Sequence, residues 1–168
     1  MRPLSRLPGA AALLVALFLA VLSAHAAPPV DNPAVPVILD RAEAFFHALK
    51  ARDCRTAFAA LTAKSQATIL SETVSALAAA EGSAPKRQDV RRDFENGGPL
   101  ARNYWGGFLR RFDPDVALEH SRWRMGAIET NRAEILLTHE GAERPAVLRM
   151  YREGGIWKVG LAETFWTR

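Results

Sequence analysis

Few side chains in this 168-residue chain could act as acid, base or nucleophile, and their spacing brings none of them together. Tyr104, Tyr151 and Glu119 are the parts from which an isomerase- or dehydratase-type site would be built. Such a site needs a carboxylate base and a phenol that donates to a developing oxyanion, both inside an apolar cavity. Tyr104 and Glu119 are therefore the candidate catalytic residues of that reading. Glu119 and His120 adjoin in a stretch read as strand, so their side chains leave on opposite faces and form no local dyad. His47, His120 and His139 are scattered, without the short paired spacing of a zinc site, and no metal or cofactor is implied. Cys54 is the only cysteine and cannot form an internal disulfide; Asp53 beside it would raise rather than lower its pKa. Nucleophile elbow, phosphate-cradling glycine loop and dinucleotide fingerprint are all missing.

What remains is aromatic. Phe45, Phe46, Trp105, Phe108, Phe112, Trp123 and Trp157 are expected to point inward, as core or, if the core is incompletely filled, as the wall of an apolar pocket. The candidate ligand-binding residues are Phe46, Tyr104, Trp105, Phe108, Trp123 and Tyr151, and the expected occupant is a small apolar molecule or lipid.

The elements that would position them can be read from periodicity. Ile38, Ala42, Phe45 and Leu49 recur at helical spacing after Pro33 and Pro36, and predict a first helix that ends near Ala51. Asp53 caps a brief second helix through Ala57, Phe58 and Leu61, and Thr62 caps a third that runs out at Gly82-Ser83. Residues 83–100 alternate basic and acidic side chains and end in Gly97-Gly98-Pro99, so they are expected to be a solvated loop or face. Trp105, Phe108, Leu109 and Phe112 form the next helical stripe. Gly106 and Gly107 inside it imply either close packing or a helix that starts after them, and Asp113-Pro114 ends it.

From Val116 the chain reads as strands. Val116–Met125 alternates imperfectly, as though bulged near Ser121; Ala133, Ile135 and Leu137 alternate cleanly. A third strand carries Val147, Arg149 and Tyr151 on one face and Ala146, Leu148 and Met150 on the other. The last turns at Gly154-Gly155 into Trp157, Val159 and Leu161. Helices first and strands after predict an α+β fold, with N-terminal helices packed on a curved, mainly antiparallel four-stranded sheet.

The N-terminus predicts export. Arg2 and Arg6 precede an apolar run from Leu7 to Leu22, and Ala24-His25-Ala26 has the small-x-small pattern of a signal-peptidase site. Residues 1–26 are read as a signal peptide cleaved after Ala26, 27–35 as a proline-rich flexible leader, and 36–168 as one domain. The location would be periplasmic or secreted, with no stable membrane span left after cleavage. Losing Arg2 and Arg6 lowers the formal charge from +4 to +2, since the first 26 residues hold no Asp or Glu. That balance gives no support to a nucleic-acid partner.

Two phrases carry a resemblance. The helix Ala42-Glu43-Ala44-Phe45-Phe46-His47-Ala48-Leu49-Lys50-Ala51-Arg52-Asp53, followed by Ala57-Phe58-Ala59-Ala60-Leu61, precedes a closing hairpin Tyr151-Arg152-Glu153-Gly154-Gly155-Ile156-Trp157-Lys158-Val159. The pair resembles the nuclear-transport-factor-2-like (cystatin-like) superfamily, particularly its small exported bacterial members. The resemblance covers nearly all of residues 36–166 and implies a cone-like sheet wrapped around helices with a pocket between. The family's short hairpin before the third helical stretch has no counterpart in residues 83–100. Enzymes, lipid carriers and domains without chemistry share this fold, so the resemblance carries no activity with it. The expectation is an exported, non-catalytic binding or accessory domain; the alternatives are the small isomerase or dehydratase, and an interaction module that dimerises through its sheet face. Trp166 would close the sheet edge or touch a partner.

Overall fold

The computed structural model describes residues 32–165. The export signal, its cleavage after Ala26, most of the leader, and Trp166 lie outside the described residues.

Among the described residues seven helices and four strands follow in chain order: α1 (Ala34–Lys50), α2 (Cys54–Ala59), α3 (Ala63–Glu81), α4 (Arg87–Glu95), α5 (Pro99–Leu109), α6 (Pro114–Leu118), β1 (Ser121–Ile128), β2 (Arg132–His139), β3 (Ala146–Glu153), β4 (Ile156–Val159) and α7 (Leu161–Phe165). The strands form one antiparallel sheet in the order β1-β2-β3-β4 that is not closed into a barrel. The fold is α+β, as the order of the predicted elements required.

Two helix starts carry the caps the sequence predicts. The Asp53 carboxylate accepts from Thr56 N at 3.0 Å, and Thr62 Oγ1 accepts from Ser65 N at 3.0 Å, so both predicted caps are made. One sheet face is apolar: Ala133, Ile135, Leu148, Met150, Trp157 and Val159 are buried there against Ile38, Phe45, Leu49, Phe58 and Trp105 of the helices. Each large side chain fully buried there contributes roughly 1.5–3 kcal/mol. At the closing hairpin Gly154 and Gly155 take φ of 56° and 83°, the left-handed pair that a two-residue turn matching the strand twist needs.

Four sequence expectations are corrected or narrowed. Of the solvated loop or face expected at residues 83–100, the structure shows the face: α4 occupies the middle of the charged run and α5 begins at Pro99. Val90 and Phe94, four residues apart, are buried under α4, and the charges have structural work. Arg87 bonds Ser71 Oγ and the Ala67 carbonyl on α3, while Asp93 Oδ1 accepts from Ala101 N at 2.9 Å at the start of α5. Gly106 and Gly107 lie inside α5, and a side chain at Gly106 would meet nothing within 4 Å, so neither close packing nor a late start explains them. Val116 to Leu118 are helical rather than extended, since Pro114 sits at the first position of α6 and Asp113 caps it. The two phases read as a bulge near Ser121 are a helix followed by a strand, and the register shift in β1 falls instead between Met125 and Ile128. Leu161, read as the last inward strand position, is the buried first residue of α7.

A cleft walled by aromatics

The aromatic side chains form one connected chain of ring contacts with two unlike ends. At one end Phe58, Phe94, Tyr104, Trp105 and Phe45 meet edge-on or tilted, with centroids 5.1–6.2 Å apart. Phe45, Phe58, Phe94 and Trp105 are essentially inaccessible. At the other end Phe46 stacks on Phe112 at 5.7 Å and meets Trp123 edge-on, while Phe108 tilts against Phe112 at 5.3 Å. Phe46, Phe108 and Phe112 face a partly open cleft of about 450 Å³.

The cleft lies where several elements run out. Phe45 and Phe46 of α1, Phe108 of α5 with Phe112 just beyond it, and Val116 and Ala117 of α6 form one wall. Leu137 and His139 at the end of β2 and Ala146 to Arg149 at the start of β3 form another. Helix α7 supplies Leu161, Thr164 and Phe165. Four lining residues are polar: Ser121, His139, Arg149 and Thr164. Ser121 Oγ donates to the Val116 carbonyl at 2.7 Å. His139 Nδ1 donates to the His120 carbonyl at 2.9 Å, which fixes Nδ1 as the protonated nitrogen. Among the described residues no tyrosine, aspartate or glutamate lines the cleft.

Helix α7 is held by a buried polar junction. Glu163, 7% exposed, accepts from Ser65 Oγ at 2.7 Å and Thr62 Oγ1 at 3.0 Å, so two hydroxyl donors meet the carboxylate. Ser65 Oγ in turn accepts from Ala162 N at 3.0 Å. Arg149 Nη1 donates to the Glu163 carbonyl, and Arg149 N donates to Thr164 Oγ1 at 3.0 Å. Gly160 makes the approach feasible, because a Cβ there would sit 2.7 Å from a Tyr151 ring carbon and 3.1 Å from the Arg149 carbonyl.

The predicted site residues divide. Phe46 and Phe108 line the cleft, and Trp123 packs behind Phe46 with its indole nitrogen donating to the Ala117 carbonyl at 2.6 Å. Trp105 belongs to the packed end and borders a separate cavity of about 90 Å³ beside Cys54; its indole N–H has no partner among the described residues. Tyr104 is half-buried there, where burial, and then the charge of Glu72, raise its phenol above the usual pKa. Tyr151 lies in the sheet against Gly160. Glu119 is on the surface, 2.5 Å from Lys50 Nζ, which also stands 2.7 Å from Asp115; those carboxylates, Asp115 first, raise the lysine pKa. Neither candidate catalytic residue, Tyr104 or Glu119, borders the cleft. Burial also raises the Cys54 thiol pKa, which leaves it a poor nucleophile.

Phe112, expected among the inward rings but not among the candidate binding residues, lines the cleft, as do His139, Arg149 and Thr164, which sequence reasoning missed. Phe112 was legible as the last member of the α5 stripe. The other three carry no local signal, since chain ends and strand ends meet only in the fold. No protein-family model matches the chain, and no curated protein or solved structure is significantly similar to it. Among the described residues no helix is long and apolar enough to cross a membrane. Fold and site together define an α+β domain with an apolar cleft between its helices and one end of its sheet.

Proposed function

We propose that this protein is an exported, non-catalytic binding domain of nuclear-transport-factor-2-like type that holds a small apolar molecule or lipid in the aromatic cleft. The observation that carries the reading is the cleft lining: about 450 Å³ walled by aromatic and aliphatic side chains, with four polar residues and no carboxylate or phenol. A space of that size and chemistry suits a ligand pocket, which is mostly apolar with a few placed polar groups. The packed end of the same aromatic chain shows that these residues fill space elsewhere, so the cleft is not general looseness.

Titration with a neutral, environment-sensitive dye tests this. A saturable 1:1 fluorescence increase is expected, with native mass spectrometry of the purified protein showing a co-purified apolar ligand. A folded protein that gives no saturable signal would sink the proposal. Export is tested separately: the chain recovered from the periplasm should begin at Ala27.

A second reading has one observation in its favour. Leu136, Val147 and Tyr151 sit half-buried on the sheet face away from the helices, with Ile156, 47% exposed, beside them. A sheet-mediated dimer would cover them, and light scattering at micromolar concentration should then give twice the monomer mass.

A further inference from the structure

We infer that the small cavity beside Cys54 binds a short-chain aliphatic monocarboxylate, its alkyl end on the apolar floor and its carboxylate at Arg52 and Arg102. This site is apart from the aromatic cleft and does not rest on the reading of that cleft. The cavity holds about 90 Å³ over Leu49, Ala57, Trp105 and Leu109, and the exposed residues Arg52, Asp53 and Arg102 stand around it. Gly106 shows that the space is kept open. A glycine inside a helix costs stability against alanine, and a side chain here would meet nothing within 4 Å, so packing does not require it. Gly106 borders the cavity, and its missing side chain leaves room there.

Charge sets the class of ligand. Arg102 Nη1 donates to the Gly97 carbonyl at 2.7 Å. Gly97 in turn lies beside Cys54, since a Cβ on it would stand 4.0 Å from Cys54 Cβ. That bond holds one guanidinium near the thiol and uses one N–H of its fork. Among the described residues neither Arg52 nor Arg102 forms a salt bridge. Burial raises the Cys54 pKa most; Arg102 and Arg52 pull against it and Asp53 adds to it, so all three charges reach this wall of the cavity. Asp53 is engaged with Thr56 N at 3.0 Å, and its charge offsets one of the two arginines. One further negative charge is then balanced, whereas a dianionic phosphate would leave an uncompensated charge beside apolar walls. A guanidinium fork suits a carboxylate. The space is smaller than the roughly 150 Å³ that takes a benzene ring, so the buried tail is about three or four carbons.

Titration of the labelled protein with sodium butyrate, followed at the Trp105 indole N–H by nuclear magnetic resonance and read against sodium chloride at equal ionic strength, provides the test. A saturable shift is expected. Butanol and butylammonium should bind at least about tenfold more weakly, and phosphate should do no more than chloride. Hexanoate should gain less than about threefold, because methylenes that stay in water add little. Arg52→Gln and Arg102→Gln should each weaken butyrate about fivefold and leave butanol within about twofold. Gly106→Leu should abolish the shift while raising the thermal midpoint, since a helix former replaces glycine. Dye in the aromatic cleft should stay bound at saturating butyrate. The inference is overturned by no saturable shift, by equal affinity for acid and alcohol, or by tighter phosphate or ammonium. Butyrate that displaces the dye, or that binds Gly106→Leu unchanged, overturns it as well. Because Arg102 also holds the Gly97 carbonyl, circular dichroism must show that its variant is folded; if it is not, Arg52→Gln decides.

Discussion

Phe45 and Phe46 are neighbours on α1 and both border the cleft, yet their ring partners lie on its two unlike sides. Phe45 is 1% exposed and meets Trp105, in a region where rings from α1, α2, α4 and α5 close on one another. Phe46 turns toward Phe112 and Trp123, where α5 has ended and the strands have not yet paired with β4. Residue type does not separate the two. What separates them is the ring each packs against: Phe45 meets the inaccessible Trp105, Phe46 the half-buried Phe112. Along the packed side α4 adds the inaccessible Phe94; along the cleft side Phe165 of α7 is 59% exposed. An aromatic stripe is thus core or cleft wall according to its partner rather than its own composition.

The sharpest way to break this contrast is to truncate a ring on each side. Phe94→Ala should cost roughly 3–5 kcal/mol of unfolding free energy, because it opens a cavity in a filled core. Phe112→Ala should cost roughly 1 kcal/mol, since its site already borders space, while dye affinity falls about tenfold or more. Equal losses by urea unfolding would show that the two ends are packed alike.

Next in size is the junction that holds α7 over the cleft. Glu163→Ala should cost roughly 3 kcal/mol, as the Thr62 and Ser65 hydroxyls are left buried without their acceptor. Dye binding should weaken with it if α7 is a true wall. A variant that loses stability but binds dye normally would remove α7 from the site.

Asp53, at the packed end, gives a pH-dependent effect. Hydrogen bonds from Thr56, its side chain first and its backbone N–H second, lower the Asp53 carboxyl below its ordinary value. A depressed folded-state pKa means stabilisation that is present above the unfolded value near 3.8 and is lost as pH falls through the folded one. Asp53→Ala should therefore cost about 1 kcal/mol at neutral pH, the worth of an N-cap. The gap between the variant and the natural chain should begin to narrow as pH falls below 3.8 and close once it has passed the lower, folded-state value. A gap that stays constant to low pH would refute the cap's role.

The smallest expected stability change comes from Ala146→Trp. Ala146 is exposed at the lip of the cleft, so the fold should shift by less than about 0.5 kcal/mol. Dye binding should nonetheless be blocked. Unchanged binding would place the occupied space elsewhere.

Much of the fold was legible because local rules govern it. The α1 stripe, the Asp53 and Thr62 caps, the β2 and β3 alternation and the Gly154-Gly155 turn each state their structure within a few residues. The errors fell where two readings shared one pattern. Val90 and Phe94 are two apolar residues in a charged run, and their spacing of four was outweighed by composition. Val116 and Leu118 alternate like a strand, while the helix start at Asp113-Pro114 pointed the other way. Of the site, Phe46 and Phe108 could be named from the stripes; Trp105 and Tyr104 could not be distinguished from them, because helical periodicity says which face is covered but not by what.

The sequence by itself determined an α+β order, the element caps, and a surplus of large aromatic rings on α1 and α5. Tertiary structure alone decided which rings stay uncovered, and that Arg149 and Thr164, fifteen residues apart, meet at the cleft. The physical reason is range. Caps, turns and periodicity act over one to four residues, whereas a cleft is the space left between elements, and its size depends on where all of them come to rest.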